Sequence, residues 1–545
     1  MTAGLPMLAA LGLVLMLALG LRGYRLDAQS LWYDEGVSAF MTTRGAPDIA
    51  RAAAADIHPP LYYWLLAAWA VPFGRGELAL RGFSVVCGTL AVWATWRLGQ
   101  TLFGSAVGLL AAGLLAISPL AVQYGQEVRM YALASLLAVG ATWAYVSLRR
   151  ALLDEAVGNR HRALLPVAYA ACAVALLYTH YYGVLVIAAH HAHLGATILA
   201  RRRWRILPGW LLANGLVTLA YLPWLPYALR QTGYYPGLGT PQSPWALLID
   251  MVNVLSIGLA TTRFEPRAGL APFVLLAGAG LLLAPRARGT FSGDSADPAT
   301  DTAEIERAAH GDSTLVREGG RVEGDHPRLL VLLWLALPIL GILLLSRTRP
   351  LYEPRFLLLV APAWALLLGA GAIGIGTRLA PGLRRLPAAW TLPWLPHAAA
   401  TVCAAIALLA LLVPTARSLG SYFFDPAYAR DDYRGLASHV GGMERPGDAV
   451  VLTAPGQAEI FGYYYRGQSD VYPLPAQRPI DVADARARLN AIAGGHRRVW
   501  LVRWAASEAD PADNILRWLE TYARRADSQF FGRVQLRLYD LTVSA

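Results

Sequence analysis

Leu31-Trp32-Tyr33-Asp34-Glu35-Gly36 and Asp56-Ile57-His58-Pro59-Pro60-Leu61-Tyr62-Tyr63 are the most informative stretches of this 545-residue chain. They follow a first apolar block, residues 5–21, and lead into a second, residues 61–73. Adjacent carboxylates beside aromatic residues at a membrane edge are costly unless they are solvated, paired or bound to a cation. Such a site can deprotonate a hydroxyl group or hold a metal ion. An acidic loop that caps a helix would give the same pattern.

The composition is that of a membrane protein, because 56% of the residues are hydrophobic and only 15% are charged. Soluble domains carry about 25% charged residues. The apolar residues form blocks, most of them long enough to cross a bilayer. They are residues 5–21, 61–73, 82–103, 105–121, 130–148, 163–180, 181–199, 208–226, 268–284, 329–346, 356–377 and 394–416. We therefore predict a polytopic α-helical protein of the plasma membrane with about 11–13 transmembrane helices, of which the first block is a retained span.

The chain has a net charge of +11 and no lysine, so all 47 basic residues are arginine. A Schiff-base lysine and a P-loop lysine are therefore excluded. A bound phosphate would have to be held by Arg, His, Tyr, backbone N–H groups or a metal. The arginines stand mostly between apolar blocks, which indicates topology signals and not nucleic-acid binding. Cys87, Cys172 and Cys403 lie in apolar segments and have neither metal-ligand nor disulfide spacing.

Clusters of arginine at residues 149–162 and 201–205 mark two cytoplasmic loops by the positive-inside rule. The turn at 178–183 and everything after about residue 418 are then expected outside the cytoplasm, as is the first loop, residues 23–60. The polar segment 285–327 is expected to be a disordered cytoplasmic insertion. In the first quarter of the chain, the loops do not alternate between the two sides of the membrane unless one early block crosses only partly. The block 61–73 is the shortest of these blocks.

Residues 418–545 are less apolar, and strand and helix signals alternate along them. The strand signals are at 449–453, 498–502 and 534–538, and the helix signals at 432–441, 457–465, 482–493 and 512–524. This pattern predicts a small extracytoplasmic α/β domain after a membrane domain at residues 1–417.

Two further motifs place charged and aromatic residues at the ends of apolar blocks. One contains Tyr124, Glu127, Arg129 and Tyr131, and the other is Arg347-Thr-Arg349-Pro-Leu-Tyr352-Glu353-Pro-Arg355. Arginines on the outer side oppose the positive-inside bias, and binding of a lipid phosphate would explain them because a guanidinium group fits phosphate oxygens. An ordinary interface anchor is the alternative for the first motif, and also for His180, which lies among tyrosines.

The Asp34-Glu35 pair followed by His58-Pro59-Pro60 resembles the GT-C glycosyltransferases. The most similar groups are the protein O-mannosyltransferases and the aminoarabinose transferase-like proteins, and the chain is similar to glycosyltransferase family 39. The resemblance extends over roughly residues 1–375. It implies transfer of a hexose or pentose from a polyprenyl-phosphate carrier to an extracytoplasmic glycan, lipid or protein, with inversion. It implies that Asp34 and Glu35 are catalytic, with Asp34 as the general base. The aminoarabinose transferases have Glu-Lys where this chain has Ile57-His58.

The charged and aromatic motifs, taken together with the resemblance, predict these substrate-binding residues: His58, Tyr124, Glu127, Arg129, Tyr131, His180, Arg349, Tyr352 and Arg355. A divalent cation is a possible cofactor, with Asp34, Glu35, Asp56 and His180 as candidate ligands. The alternatives are a transporter or flippase for a lipid-linked saccharide and a non-catalytic envelope scaffold. Internal symmetry and mid-span charges, which a transporter would show, are not evident. Neither the sugar nor the acceptor follows from the sequence.

Overall fold

The computed structural model describes residues 4–153, 159–234, 242–260, 267–285, 326–384, 395–454, 456–475 and 480–541. The helices within these ranges are α1 (Leu5–Gly23), α2 (Tyr33–Met41), α3 (Ala46–Ala55), α4 (Leu61–Phe73), α5 (Glu77–Phe103), α6 (Ser105–Ile117), α7 (Pro119–Gly125), α8 (Tyr131–Leu153), α9 (Asn159–Leu177), α10 (Gly183–Arg201), α11 (Leu207–Tyr221), α12 (Leu225–Tyr234), α13 (Pro244–Ile257), α14 (Arg267–Leu283), α15 (Pro327–Leu345), α16 (Ala361–Arg384), α17 (Leu395–Phe424), α18 (Tyr433–Met443), α19 (Gln457–Tyr464), α20 (Val482–Gly495), α21 (Ala506–Ala509) and α22 (Asn514–Tyr522). The strands are β1 (Asp448–Leu452), β2 (Asp470–Pro473), β3 (Arg498–Arg503), β4 (Arg524–Phe531) and β5 (Val534–Asp540).

Each apolar block of the sequence is occupied by one helix or by two consecutive helices, so the helical membrane architecture is confirmed. Among the described residues, five helices (α1, α5, α8, α10 and α15) are long and apolar enough to cross a membrane singly. Two bent pairs pass the same test together, α6 with α7 at 60° and α11 with α12 at 74°. The expected total of about 11–13 spans stays a prediction. Helix α4 has 13 residues, or about 20 Å of helix, which agrees with a partial crossing.

Glycines let the membrane helices approach closely. A Cβ atom on Gly371 of α16 would lie 1.9 Å from the carbonyl oxygen of Leu276 in α14, and one on Gly280 would lie 2.1 Å from that of Leu367. Small residues at helix contacts allow this van der Waals packing in lipid, where no hydrophobic force joins helices. The pair α5 and α6 is joined by Gly104 at φ 101°, a backbone conformation that glycine adopts without strain.

The loop between α1 and α4 carries two short helices that the sequence did not predict. Helix α2 begins at Tyr33, and the Glu35 carboxylate accepts a hydrogen bond from the backbone N–H of Trp32 at its start. Acidic residues in a first helical turn also interact favourably with the helix dipole. Helix α3 begins with a proline at its second residue, Pro47, where the missing N–H costs nothing. The loop therefore places Asp34 and Glu35 in the first turn of a helix.

The last part of the chain forms a five-stranded sheet in the order β2-β1-β3-β5-β4, so the predicted small sheet domain is present. Strand β1 pairs in parallel with β2 and β3, and β5 pairs antiparallel with β3 and β4. The three predicted strands are β1, β3 and β5, and the four predicted helices correspond to α18, α19, α20 and α22. The sequence did not predict β2 and β4, which are the two edge strands.

The two faces of the sheet belong to different cores. Val450, Leu452, Trp500 and Val502 point to α18 and α19, and this layer is continuous with the core of the membrane helices. The alternate residues pack with α20 and α22 in a second, separate core. The sheet domain thus packs against the membrane part and contacts α2, the helix that carries Asp34.

Some sequence expectations fall outside the described residues. The main one is the predicted disordered insertion, of which residues 286–325 lie outside those ranges. The division at residues 417 and 418 stays a prediction; the helix α17 continues through it to Phe424.

Candidate active site

Asp34 lies at the centre of a cluster that three distant parts of the chain supply. Its Oδ2 atom is 2.9 Å from Nη1 of Arg355 and 3.7 Å from Nη2 of Arg129. The Asp34 backbone carbonyl also accepts a hydrogen bond from Arg129. The Asp34 side chain is 22% exposed, whereas that of Arg129 is 3% exposed. The structure therefore brings together three residues that the sequence analysis placed in one site.

The charge of Asp34 is stabilised in this setting. Burial raises the pKa of its carboxyl group, but the guanidinium groups of Arg129 and Arg355 outweigh burial and hold the pKa below its usual value. Opposite charges within about 4–6 Å favour the ionised form of an acid. Asp34 is consequently a carboxylate at neutral pH, and a weak base for as long as both arginines remain beside it.

Glu35 has a different environment from its neighbour. Its side chain is fully buried, and its two oxygens accept hydrogen bonds from Arg81, from the backbone N–H of Val128 and from Arg430. Burial raises the pKa of Glu35, but these arginines more than compensate and leave the pKa lowered. A buried carboxylate with this many partners holds structure together and has no open oxygen for a reacting group.

His58 connects Asp56 to Arg129. Its Nδ1 atom is 3.2 Å from an Asp56 oxygen, and its Nε2 atom is 3.2 Å from Nη2 of Arg129. Since a guanidinium group only donates, Nε2 accepts from Arg129 and the Nδ1–H donates to Asp56. Burial lowers the pKa of His58, which keeps the imidazole neutral. His58 therefore orients Arg129 without adding a charge.

Aromatic rings surround the two arginines. The guanidinium carbons of Arg129 and Arg355 lie 5.9 Å and 5.7 Å from the ring centre of Tyr131, within cation–π distance. The Tyr131 ring also contacts Tyr124 at 5.5 Å and His180 at 5.9 Å between ring centres. Burial, followed by nearby positive charges, lowers the pKa of His180 to about 3. Tyr124, Tyr131 and His180 thus form a neutral wall beside the charged cluster.

Glu127 lies at the edge of the cluster and pairs with Arg430 at 3.2 Å. Its Oε2 atom is buried and has no hydrogen-bond partner among the described residues. Burial is the largest cause that raises the pKa of Glu127, to about 7. A carboxyl group with a pKa near 7 can gain or lose a proton under physiological conditions.

Two predicted site residues of the 347–355 motif, Arg349 and Tyr352, are not among the residues that contact Asp34. Arg349 is exposed and donates to the Gly233 carbonyl at 2.6 Å, so the structure does not bring it to Asp34. Tyr352 is half-buried, and burial followed by the Asp250 carboxylate raises its pKa. Glu353, by contrast, reaches Arg355 at 3.5 Å. Of the three arginines in this motif, only Arg355 contacts the acidic pair.

The four candidate metal ligands do not converge on one point. Asp34 and Glu35 are paired with arginines, Asp56 with His58, and His180 lies among aromatic rings. No group of three or more His, Cys, Asp or Glu side chains is arranged to hold a metal within the ranges that the structure covers. The residues as arranged therefore do not fit a divalent cation.

Arg81 and Arg430 are two important residues that the sequence analysis did not select. Arg81 is buried and also donates to the carbonyl groups of Leu26, Gln29 and Ser30, so it fixes the chain that leads into α2. Arg430 follows α17 and reaches Glu35 from the opposite end of the chain. A buried arginine near a span boundary looks like a topology signal in sequence, and only its partners show its role.

The comparisons with known proteins agree with this architecture. A family model described as dolichyl-phosphate-mannose-protein mannosyltransferase matches residues 57–227, which include His58, Arg129 and His180. No curated protein matches the chain.

Among solved structures, the chain is similar to ArnT from Cupriavidus metallidurans bound to undecaprenyl phosphate, with a TM-score of 0.56, 14% identity and 100% of each chain covered. It is also similar to the oligosaccharyltransferase AglB from Archaeoglobus fulgidus in complex with an inhibitory peptide and a dolichol-phosphate. That match has a TM-score of 0.54 and 13% identity and covers 99% of this chain and 74% of AglB. The chain has the GT-C glycosyltransferase fold, and the resemblance predicted from the sequence is confirmed.

Proposed function

We propose that this protein transfers a hexose or pentose from a polyprenyl-phosphate carrier to an extracytoplasmic acceptor, with inversion at the anomeric carbon. The site would lie on the outer side of the plasma membrane, together with the C-terminal sheet. The glycosyltransferase fold and the family model support this proposal, as do the undecaprenyl phosphate and dolichol-phosphate bound to ArnT and AglB.

The observation that carries the proposal is the incomplete pairing of a buried cation. Arg129 is 3% exposed, and its nearest carboxylate oxygen is 3.7 Å away. Its Nε atom has no hydrogen-bond partner among the described residues, and its Nη2 atom contacts a neutral histidine. A buried N–H donor without an acceptor is costly, and a phosphate group supplies the oxygens that a guanidinium group binds best.

The carrier phosphate would bind Arg129 and Arg355. Once these groups turn toward the phosphate, the Asp34 carboxylate loses part of its stabilisation, its pKa rises and it becomes a better base. Asp34 then accepts the proton of the acceptor hydroxyl while the acceptor oxygen attacks the anomeric carbon and the polyprenyl phosphate leaves. Glu35 and His58 act as positioning residues. Glu35 holds α2 in place through Arg81 and Arg430, and His58 holds Arg129.

The test uses purified protein in lipid nanodiscs with undecaprenyl phosphate as the binding probe. Undecaprenyl phosphomannose and an undecaprenyl-phosphate-linked pentose serve as trial donors, and the release of undecaprenyl phosphate is measured in the presence of a membrane extract that contains acceptors. We expect saturable binding of undecaprenyl phosphate that the Arg129→Gln/Arg355→Gln variant loses. Equal binding by that variant and the native chain would refute the assignment of the phosphate site. In proteoliposomes, movement of intact donor between leaflets without release of its sugar would indicate the flippase alternative.

A further inference from the structure

The C-terminal sheet has a crevice of the kind that binds ligands in other α/β domains. Strand β1 is flanked by β2 on one side and β3 on the other, all three parallel. From β1 the chain continues to β2 on one side and then crosses to β3 on the other side. The direction in which strands are added to the sheet therefore reverses between β1 and β3. In open α/β sheets the crevice at the carboxyl ends of two such strands is the usual binding site.

In this chain a residue of the membrane part fills that crevice. The Tyr33 ring stacks on Trp504, the first residue after β3, with 4.6 Å between ring centres and 18° between planes. The Tyr33 hydroxyl reaches Gly456, in the segment after β1, where an added Cβ atom would lie 2.1 Å from the hydroxyl oxygen. Glycine at position 456 therefore leaves the space that the Tyr33 side chain occupies.

The walls of the crevice are held in place by hydrogen bonds. The backbone N–H of Trp504 donates to the Thr453 hydroxyl at 3.1 Å, which ties the end of β3 to the end of β1. The Trp504 indole N–H donates to Asp431 at 3.0 Å, and Asp431 is itself buried and paired with Arg533. The face that Trp504 presents to Tyr33 is thus fixed by the sheet domain and not by the membrane helices.

The contact continues along α2 beyond Tyr33. A Cβ atom on Gly36 would lie 2.4 Å from Cβ of Ile460 in α19, so the two helices touch at the backbone. On the other side of Tyr33, the backbone N–H of Leu31 donates to the Tyr464 hydroxyl at 2.7 Å. Asp34 stands between these contacts, one residue after Tyr33.

From this geometry we infer that the C-terminal domain is a positioning module whose crevice binds Tyr33 and so sets the place of Asp34. Tyr33, Trp504 and Gly456 are positioning residues that touch no substrate. The inference rests on the proposed function, because it assigns the domain to the same site. Misplacement of a reacting group by about 1 Å can reduce turnover by roughly 10²-fold, so a loose α2 would affect catalysis more than donor binding.

The test compares Trp504→Ala with Trp504→Phe and with Trp518→Ala as a matched control. Trp518 is 9% exposed and packs in the second core of the same domain, away from α2. Three quantities are measured in nanodiscs: hydrogen exchange of residues 33–41, the Kd for undecaprenyl phosphate, and the turnover of undecaprenyl phosphomannose. Gly456→Ala is the second variant, because it displaces Tyr33 without removing an aromatic ring.

We expect Trp504→Ala and Gly456→Ala to speed exchange of residues 33–41 by about tenfold or more and to reduce turnover by about tenfold, with Kd within about threefold of the native value. Trp504→Phe keeps a stacking ring and should restore both. Native exchange in Trp504→Ala, or an equal effect of Trp518→Ala in a sheet domain that stays folded, would overturn the inference. Hydrogen exchange of residues 33–41 can be measured without any donor. If the native chain did not bind undecaprenyl phosphate, the proposed function would be refuted, and the exchange measurement would still decide the inference.

Discussion

The Nη1 atom of Arg355 lies 2.9 Å from Oδ2 of Asp34, although 321 residues separate them in the chain. The candidate base and a candidate phosphate ligand are therefore in direct contact. Burial raises the pKa of Asp34, but Arg129 and Arg355 hold it below its usual value, so any anion that competes for these arginines makes Asp34 more basic. In the proposed mechanism this pair would couple donor binding to activation of the acceptor.

Arg355→Lys should weaken undecaprenyl phosphate binding by about tenfold or more, because an ammonium group cannot present the planar pair of donors that a phosphate accepts. Equilibrium binding in nanodiscs measures this. Arg51→Lys is the control, since its side chain is 77% exposed in the first loop, which also carries Asp34, and pairs with Asp48 on its own helix. An unchanged Kd for Arg355→Lys would remove Arg355 from the phosphate site.

His58→Leu should also weaken undecaprenyl phosphate binding, by about 10-fold to 100-fold, because a hydrogen bond to a charged group is worth about 1.5–3 kcal/mol. His58→Gln keeps an acceptor for Arg129 and should bind within about threefold of the native chain. The same binding assay compares the two variants. If Gln and Leu were equally harmful, His58 would have a role other than accepting a hydrogen bond from Arg129.

The pKa of Glu127, raised to about 7, makes the stability of the protein depend on pH. Between about pH 4.5 and 7 the folded chain binds more protons at Glu127 than the unfolded chain does, so the free energy of unfolding decreases as pH rises through this window. Glu127→Gln removes the effect. Melting temperatures at pH 5 and pH 8 should show the native chain losing stability relative to this variant at pH 8, and parallel shifts in both proteins would contradict the assignment.

The sheet domain and Asp34 should be accessible from outside the cell. In a chain whose three cysteines are replaced by alanine, a cysteine at the exposed position Ser528 on β4 should react with an impermeant maleimide in intact cells. A cysteine at Ser313, in the predicted cytoplasmic segment, should react only after lysis. The reverse pattern would place the site in the cytoplasm, where the proposed outward-facing transfer could not occur.

The sequence predicted the membrane helices closely because each apolar block is long and must satisfy its backbone internally. The block 61–73 matches α4 residue for residue. The edge strands were missed for physical reasons. Strand β2 has four residues, and the strand β4 sequence Arg-Arg-Ala-Asp-Ser-Gln-Phe-Phe is mostly exposed and polar, so neither shows the apolar alternation of a buried strand.

The site was predictable in its types of residue but not in its pairings. Asp34, Arg129 and Arg355 were selected and do meet, and the family resemblance gave Asp34 as the base, but the residue types alone gave no physical reason to separate Asp34 from Glu35. The two differ only in surroundings, since Arg81, Arg430 and the N–H of Val128 enclose Glu35. The same limit applies to Arg349 and Arg355, which share a motif although only Arg355 faces the cluster. These distinctions depend on contacts between segments far apart in the chain.

Turnover of Asp34→Asn tests the central claim most directly. The amide keeps the size of the carboxylate but cannot accept a proton, so turnover of the trial donor that the native protein uses should fall by at least about 10²-fold. Binding of undecaprenyl phosphate should stay near the native value, because the two arginines remain. Native turnover by Asp34→Asn in a correctly folded protein would contradict the mechanism, whatever the fold.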